Sequence, residues 1–499
     1  MQNITLFQFF HWYYPNDGSL WKHCMEEADA LQQLGITYVW LPPPYKSALG
    51  MAEPGYAVYD LFDLGEFDQK GTVPTKYGTK DEYLQCIKEL HNRGIKVLAD
   101  VVLNHRMGAD DTELVKVKQV EAENRNHIME QEEVIEVYTK FTFPGRGQKY
   151  SNFIWDYQCF TGVSVTDNEG TRIYTILNEY GTDWEDVLDT EFGNPDYLMG
   201  CDAEFRNEHV REELKWWGRW FLETTGVDGF RLDAVKHISH RFMKEWMAHL
   251  KAVSNKDLFF LAEYVTNDAE LLLNWNKAVD EQCQLFDVLL HHNFYEASHQ
   301  RSEYDLRQIF DKSLLKMHPE RAITFVDSHD TQPFQLMESF VDWWFKPLAY
   351  AIILLQEHGI PCVFYPSIYG AVYEEVQDGV NQRVELVPVP AIREMMRVRR
   401  HLAFGAQRDY FNDARHVGWV RTGVPEQEYS GCAVVLSNGG AAHLEMEMGN
   451  AHANAEFADV TGNRAETVTT DEHGKARFTA HGASVSVWIR KEALPLIQL

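Results

Sequence analysis

Four short stretches of this chain end in side chains that could carry acid, base or nucleophile chemistry. They are Asp100-Val101-Val102-Leu103-Asn104-His105, Arg231-Leu232-Asp233 with Lys236 and His237 behind it, Leu261-Ala262-Glu263, and Asp327-Ser328-His329-Asp330. Each includes or follows an apolar run, so the charged groups stand where a buried strand would reach solvent. Phe230, Leu232 and Ala234 alternate with Arg231, Asp233 and Val235, which predicts a strand with Arg231 and Asp233 on one face. Burying that pair is costly unless each member satisfies the other. Taken alone, it is accounted for by a structural ion pair at a strand end. Three carboxylates, three histidines and an arginine at four strand ends are harder to explain by packing.

Three carboxylates suit glycoside hydrolysis, in which one stays ionised to attack the anomeric carbon and another stays protonated to release the leaving oxygen. Arg231 beside Asp233 would keep that carboxylate charged, as a nucleophile needs. Glu263, on an apolar strand with negative charge nearby, would be raised, as a general acid needs. Asp330 could hold sugar hydroxyls and help distort the ring, and His105 and His329 could donate hydrogen bonds to hydroxyls. Either histidine alone is better explained as a satisfied core residue. His329-Asp330 also admits a metal-dependent hydrolase, which would need a His-rich ligand set at strand ends.

These groups need a scaffold that gathers strand ends. Apolar strands at Ile4–Phe10, Ile36–Leu41 and Ile95–Val102 alternate with helices at 20–34 and 80–93, closed by Gly35 and Gly94. After the fourth strand come a helix at 240–253, a strand at Leu258–Glu263, a helix at 268–279 and a strand at Gln284–Val288. A helix near 303–316, a strand at Ala322–Asp327, a helix at 346–358 and a strand at Pro361–Tyr365 complete eight units. The pattern predicts an α/β fold, a (β/α)₈ barrel with its active site at the C-terminal strand ends. The rhythm breaks for about a hundred residues after His105, too long for a bare loop. The expected organisation is a barrel over 1–105 and 206–404, an inserted β-rich subdomain over 106–205, and a C-terminal all-β sandwich over 405–499.

The 499 residues carry a formal net charge of −29, which argues against nucleic acid or an anionic membrane as the main partner. Aromatic residues make up 13%, enough to supply stacking surfaces for sugar rings. The N-terminus lacks a basic start, a long apolar run and a small-residue cleavage site, and the apolar helix Pro347–Leu355 is too short to span a bilayer. Seven widely spaced cysteines without a Cys-x-x-Cys pair fit reduced thiols. The expectation is a cytoplasmic protein, acting as a monomer.

The four blocks, in this order, resemble those of the α-amylase family of glycoside hydrolases. Gly55-Tyr56-Ala57-Val58-Tyr59-Asp60-Leu61, Phe141-Thr142-Phe143-Pro144-Gly145-Arg146-Gly147, Asp196-Tyr197-Leu198-Met199, Trp344-Phe345-Lys346-Pro347-Leu348 and Gly405-Ala406-Gln407 extend the resemblance over nearly the whole chain. They are most similar to bacterial liquefying amylases and their intracellular relatives. The resemblance implies Asp233 as nucleophile, Glu263 as acid/base and Asp330 as transition-state stabiliser. It implies that Arg231, His105 and His329 bind or orient the first subsite, that Tyr56 stacks on its sugar, and that Lys236 and His237 contact the next. The implied reaction is retaining cleavage of internal α-1,4 bonds in starch, glycogen or maltodextrin. A related transglycosylase or oligosaccharide-specific hydrolase would use the same triad, and a non-catalytic glucan-binding barrel would be expected to lack part of it. Asn104, Asp196 and Asp202 are oxygen donors of the type Ca²⁺ takes, though on composition alone they could be solvated loop groups. The resemblance selects them as ligands of at least one Ca²⁺, adds the backbone carbonyl of His237, and leaves Asp183 as a further ligand.

Overall fold

The computed structural model describes residues 3–168, 170–377 and 379–497. Eight parallel strands close into a barrel in chain order: β1 (Leu6–Gln8), β2 (Tyr38–Leu41), β3 (Lys96–Val101), β4 (Gly229–Leu232), β5 (Phe259–Ala262), β6 (Gln284–Phe286), β7 (Ala322–Phe325) and β8 (Ile360–Phe364). β1 to β4, β7 and β8 are buried along almost their whole length, because a parallel barrel is covered on both faces. Helices α1 (Leu20–Gln33), α2 (Lys80–Asn92), α3 (Glu208–Thr225), α4 (His240–Val253) and α5 (Ala269–Ala278) fall between strands. Thr79 and Glu82 form a reciprocal capping box at the start of α2. Asn207 caps α3, and Gly226 ends it in the left-handed conformation (φ 67°) that glycine adopts without penalty.

Between β3 and α3 the chain forms a separate six-stranded sheet, ordered His105–Arg106, Cys201–Ala203, Phe160–Asp167, Gly170–Ile176, Asp111–Glu121 and Asn124–Lys140. Two of these strands, of 11 and 17 residues, are longer than the short runs expected from the sequence. After helix Ile392–His401 the chain is all-β. A six-stranded and a two-stranded sheet share one apolar core around Val435, Met446, Phe457, Phe478 and Trp488.

One expected helix is misplaced. Instead of 303–316, the helix is α6 (Val288–Gln300), and the later stretch contains only short 3-10 turns and the one-turn helix Leu314–Met317. Asp287, read as part of a strand, is the cap: its carboxylate accepts from the Leu290 amide at 3.0 Å and also from Leu314 and Leu315. Asp305 and Ser313 cap the short turns locally and break the helical period there.

By contact density the chain divides into two units, one comprising residues 1–14, 29–39 and 286–499, the other 15–28 and 40–285.

Candidate active site

In the unit of residues 40–285, β4 pairs with β3 so that Arg231 lies directly beside Asp100, and with β5 so that Arg231 lies beside Leu261. That register turns a motif of nearest neighbours into a buried charge cluster. Arg231 is almost fully buried, and its Nη1 donates to Asp100 Oδ1 at 3.0 Å and to Asp233 Oδ1. Its Nη2 stands 3.7 Å from Glu263 Oε2. The guanidinium also lies 5.1 Å from the centre of the Trp40 ring and 5.9 Å from that of Tyr56. Burial works against its charge, but Asp100 and Asp233, then Tyr56 and Glu263, hold it ionised beyond its usual range.

The three carboxylates around this cation are not equivalent. The Asp100 side chain is wholly enclosed, whereas those of Asp233 and Glu263 are 13% and 14% exposed, so only these two can meet a substrate. The backbone sets their positions. The Asp233 amide donates to Val101 O at 3.0 Å, extending the β3–β4 ladder by one residue. Ala234 then turns into the left-handed region (φ 50°), uncommon for a residue with a Cβ. Its amide thereby donates to Glu263 Oε2 at 2.6 Å, while the Glu263 amide donates to Leu232 O at 3.0 Å. Burial raises the Glu263 carboxyl, Arg231 pulls it down and the negative Asp233 raises it further; the net shift is upward.

Asp100 stood in the sequence as one strand-end acid without a role. Its Oδ2 accepts from the Tyr56 hydroxyl at 2.7 Å and from Trp40 Nε1 at 2.9 Å, while Oδ1 serves Arg231. Burial pushes Asp100 up to about 7 against the pull of Arg231. Tyr56 is held at both ends, since its carbonyl accepts from His105 Nε2–H at 2.9 Å. His105 Nδ1 is buried without a partner among the described residues, and burial holds the ring below its usual range, so it is a neutral acceptor. No local signal around Tyr56 or Asp100 announces this triangle, whose corners are 44 and 131 residues from Asp100.

Lys236 Nζ donates to Glu191 Oε2 at 2.6 Å and Val265 O at 3.2 Å, with Asp189 Oδ2 3.5 Å away. Asp189 also accepts from the Tyr264 hydroxyl at 3.0 Å. Glu191 and Asp189 were missed because nothing in a polar loop distinguishes them before the fold brings them to Lys236. His237 Nδ1–H donates to Pro195 O at 2.5 Å, and burial pushes the ring down to about 4.

His329 and Asp330 lie in the unit that contains residues 286–499, beyond the end of β7. Gln8 Nε2 donates to His329 Nδ1 at 3.1 Å, which leaves Nε2–H facing Asp330 Oδ2 at 3.3 Å. Trp12 stacks on the His329 ring (centroids 6.2 Å apart, planes 12° apart). The Asp330 side chain is a quarter exposed. Asp327, in the same motif, is structural: it is buried, accepts from the Val341 amide at 3.0 Å and pairs with Lys346.

Asn104 Nδ2 donates to Asp202 Oδ1 at 3.0 Å, and Thr161 donates to the other oxygen of Asp202. Asn104 Oδ1 is buried with no partner among the described residues. Asp196 and Asp202 are buried, and burial followed by neighbouring carboxylates raises Asp202 well above its usual range; burial pushes Asp196 up to about 7. An orphaned amide oxygen among buried carboxylates is a donor set that fits a hard cation, although among the described residues no three His, Cys, Asp or Glu converge on one point. Asp183 is 70% exposed and lies 3.2 Å from Arg206, which also forks onto Glu204.

Comparison with known proteins bears on the whole chain. The family described as alpha amylase, catalytic domain, matches residues 17–385, and the alpha-amylase C-terminal family matches 432–489. The chain is 46% identical to a cytoplasmic alpha-amylase of Escherichia coli over 99% of its own length and all of the relative's. It is 42% identical to an alpha-amylase of Bacillus licheniformis, with 98% of this chain and 94% of that one covered. Among solved structures, the alpha-amylase of Geobacillus thermoleovorans complexed with acarbose superposes with a TM-score of 0.63 over 98% of each chain at 19% identity, a likeness of fold.

Proposed function

This chain belongs to the α-amylase family of glycoside hydrolases, and from that premise we propose that it cleaves internal α-1,4-glucosidic bonds of starch, glycogen or maltodextrin with retention at the anomeric carbon. The observation that carries the reading is the pair Asp233 and Glu263, the two solvent-reaching carboxylates around one buried arginine, with Glu263 raised.

In the first step the Asp233 carboxylate attacks the anomeric carbon while the Glu263 carboxyl gives its proton to the departing glycosidic oxygen, which leaves as a free sugar hydroxyl. Arg231 donates to Asp233 Oδ1 and so orients that carboxylate for attack. In the second step Glu263, now a carboxylate, takes a proton from water; the hydroxide oxygen bonds to the anomeric carbon and Asp233 departs as a carboxylate. Asp330, oriented by His329, binds hydroxyls of the distorted ring. Tyr56, anchored by Asp100 and His105, is the stacking platform. Lys236 and His237 face the neighbouring glucose. Calcium binding is common in this family; here Asn104, Asp196, Asp202 and the His237 carbonyl would hold Ca²⁺. When bound, the ion would neutralise the buried carboxylates and hold the insert to β3 and to the turn after β4.

Similarity to the cytoplasmic Escherichia coli enzyme, together with free cysteines at all seven positions, supports a cytoplasmic location, where the glucan would be an intracellular polymer or an imported dextrin. The test follows products from a defined maltooligosaccharide, with the anomer read by NMR. Internal cleavage giving the α-anomer first supports the proposal; a β-anomer first product refutes it. A single fixed product length would favour the relative named glucan 1,4-alpha-maltohexaosidase, 41% identical over 98% of this chain. Asp233→Asn should abolish turnover while leaving the fold intact.

A further inference from the structure

A recess of about 170 Å³ opens in the unit that contains residues 286–499, and none of the catalytic assignments uses it. It has room for about one hexose ring. Asp342, Trp343, Lys346, Ser367, Glu385 and Val387 are among the residues that line it.

Trp343, which lines the recess, and its sequence neighbour Trp344 are held differently. Trp344 is tied down: its Nε1 donates to Ser298 O at 2.9 Å and its ring meets Phe345 edge-on. Trp343 is 49% exposed, and among the described residues no hydrogen bond or ring contact engages its side chain. An indole held half in water at the lip of a cavity presents a flat apolar face next to polar groups.

Val341 and Lys346, both lining residues, are held by Asp327. The Val341 amide donates to the buried Asp327 carboxylate, which also pairs with Lys346, and the Lys346 ammonium sits 3.3 Å from the centre of the Phe340 ring. Lys346 is thus already neutralised and is not available to an anion. The remaining charged lining groups, Asp342 and Glu385, are acids, and the chain as a whole is strongly acidic. A phosphorylated or polyanionic ligand is therefore disfavoured. A neutral ligand with one flat apolar face and a rim of hydroxyl donors suits the set: the indole stacks on the face, and the carboxylates and Ser367 take the hydroxyls.

We propose that this recess is a second, non-catalytic α-glucan-binding site, with Trp343 as its stacking platform. Its ligand class rests on the function proposed above. Such a site retains long polymers on the protein and raises their local concentration without affecting short substrates.

The test compares wild type, Trp343→Ala and Trp343→Tyr in two assays. The first is retardation in native gels containing glycogen; the second is kcat/KM on glycogen and on maltotetraose. Trp343→Ala is expected to lose most of its retardation and to lower kcat/KM on glycogen by about three- to tenfold, with the maltotetraose value unchanged. Trp343→Tyr should keep part of both. Equal retardation of wild type and Trp343→Ala, or no retardation of wild type, overturns the proposal, as does an equal loss on both substrates. If wild type is retarded through Trp343 but hydrolyses neither glucan, the binding site stands and the catalytic reading falls.

Discussion

Replacing Asp100 by Asn tests whether the buried cluster behind the active site works as described. The substitution keeps the shape but leaves one acceptor oxygen where two served three donors: Arg231 at 3.0 Å, Tyr56 at 2.7 Å and Trp40 at 2.9 Å. The least costly arrangement points the amide oxygen at Arg231 and lets the tyrosine oxygen accept from the new NH₂. Trp40 N–H then loses its Asp100 acceptor in the core, at about 1–3 kcal/mol, and the ion pair with Arg231 is reduced to a bond from a cation to a neutral oxygen, at about 1–2 kcal/mol more. The sum, about 2–5 kcal/mol, overlaps the loss of about 3–5 kcal/mol expected when one partner of a buried ion pair is removed. In guanidinium the unfolding rate should rise by about one to three orders of magnitude. Tyr56 also loses its anchor, so KM for maltooligosaccharides should rise together with a fall in kcat. Asp228→Asn is the control. That acid precedes β4 and binds His91 and the Val97 amide at a part-exposed position. It should cost about 1 kcal/mol and leave kcat/KM alone. An Asp100→Asn protein that unfolds at the wild-type rate, or that keeps wild-type KM, would refute the argument that Asp100 anchors Arg231 and Tyr56.

Glu263→Gln should lower kcat/KM on glycogen by about 10²- to 10⁴-fold and remove the basic limb of its pH profile. The sign follows from the upward shift of Glu263: the acid is competent while protonated, so activity present at lower pH is lost as pH rises through a value above the ordinary glutamate range. Ala234→Val should cost at least about 1–2 kcal/mol in urea unfolding and reduce kcat, because a β-branched residue at φ 50° displaces the amide that holds Glu263. Ala234→Gly should be close to neutral, within about 0.5 kcal/mol, since relieved strain offsets added chain entropy. Chelation should accelerate unfolding of the wild type, and at free calcium 100 times its dissociation constant the ion should contribute about 2.7 kcal/mol. Asn104→Ala should unfold at the same rate with and without chelator; an unchanged difference would remove Asn104 from the ligand set.

The chain's own order carried much of this protein. Strand–helix alternation, glycine helix stops and the hundred-residue interruption are local or near-local signals, and they prescribe a barrel with an insert because hydrophobic periodicity is read one element at a time. Arg231 and Asp233, two residues apart on one strand face, announced their pairing in the same way. The helix at Val288–Gln300 was hidden because its start depends on how Asp287 is used, and that carboxylate also serves amides 27 and 28 residues later. The separation of Asp100 from Asp233 and Glu263 was equally out of reach. Asp100, Asp233 and Glu263 are alike as letters. Their difference is that one is enclosed by Trp40, Tyr56 and Arg231 while the other two reach solvent, and exposure is a property of packing. The same holds for His105, whose neutral ring and unpartnered nitrogen follow from burial against Tyr56, and for Lys236, which is met by Glu191 from a distant loop. Residue types and spacing named the chemistry; register, burial and long-range hydrogen bonds assigned each group its part, because electrostatic roles are set by neighbours that only the folded chain brings within a few ångströms.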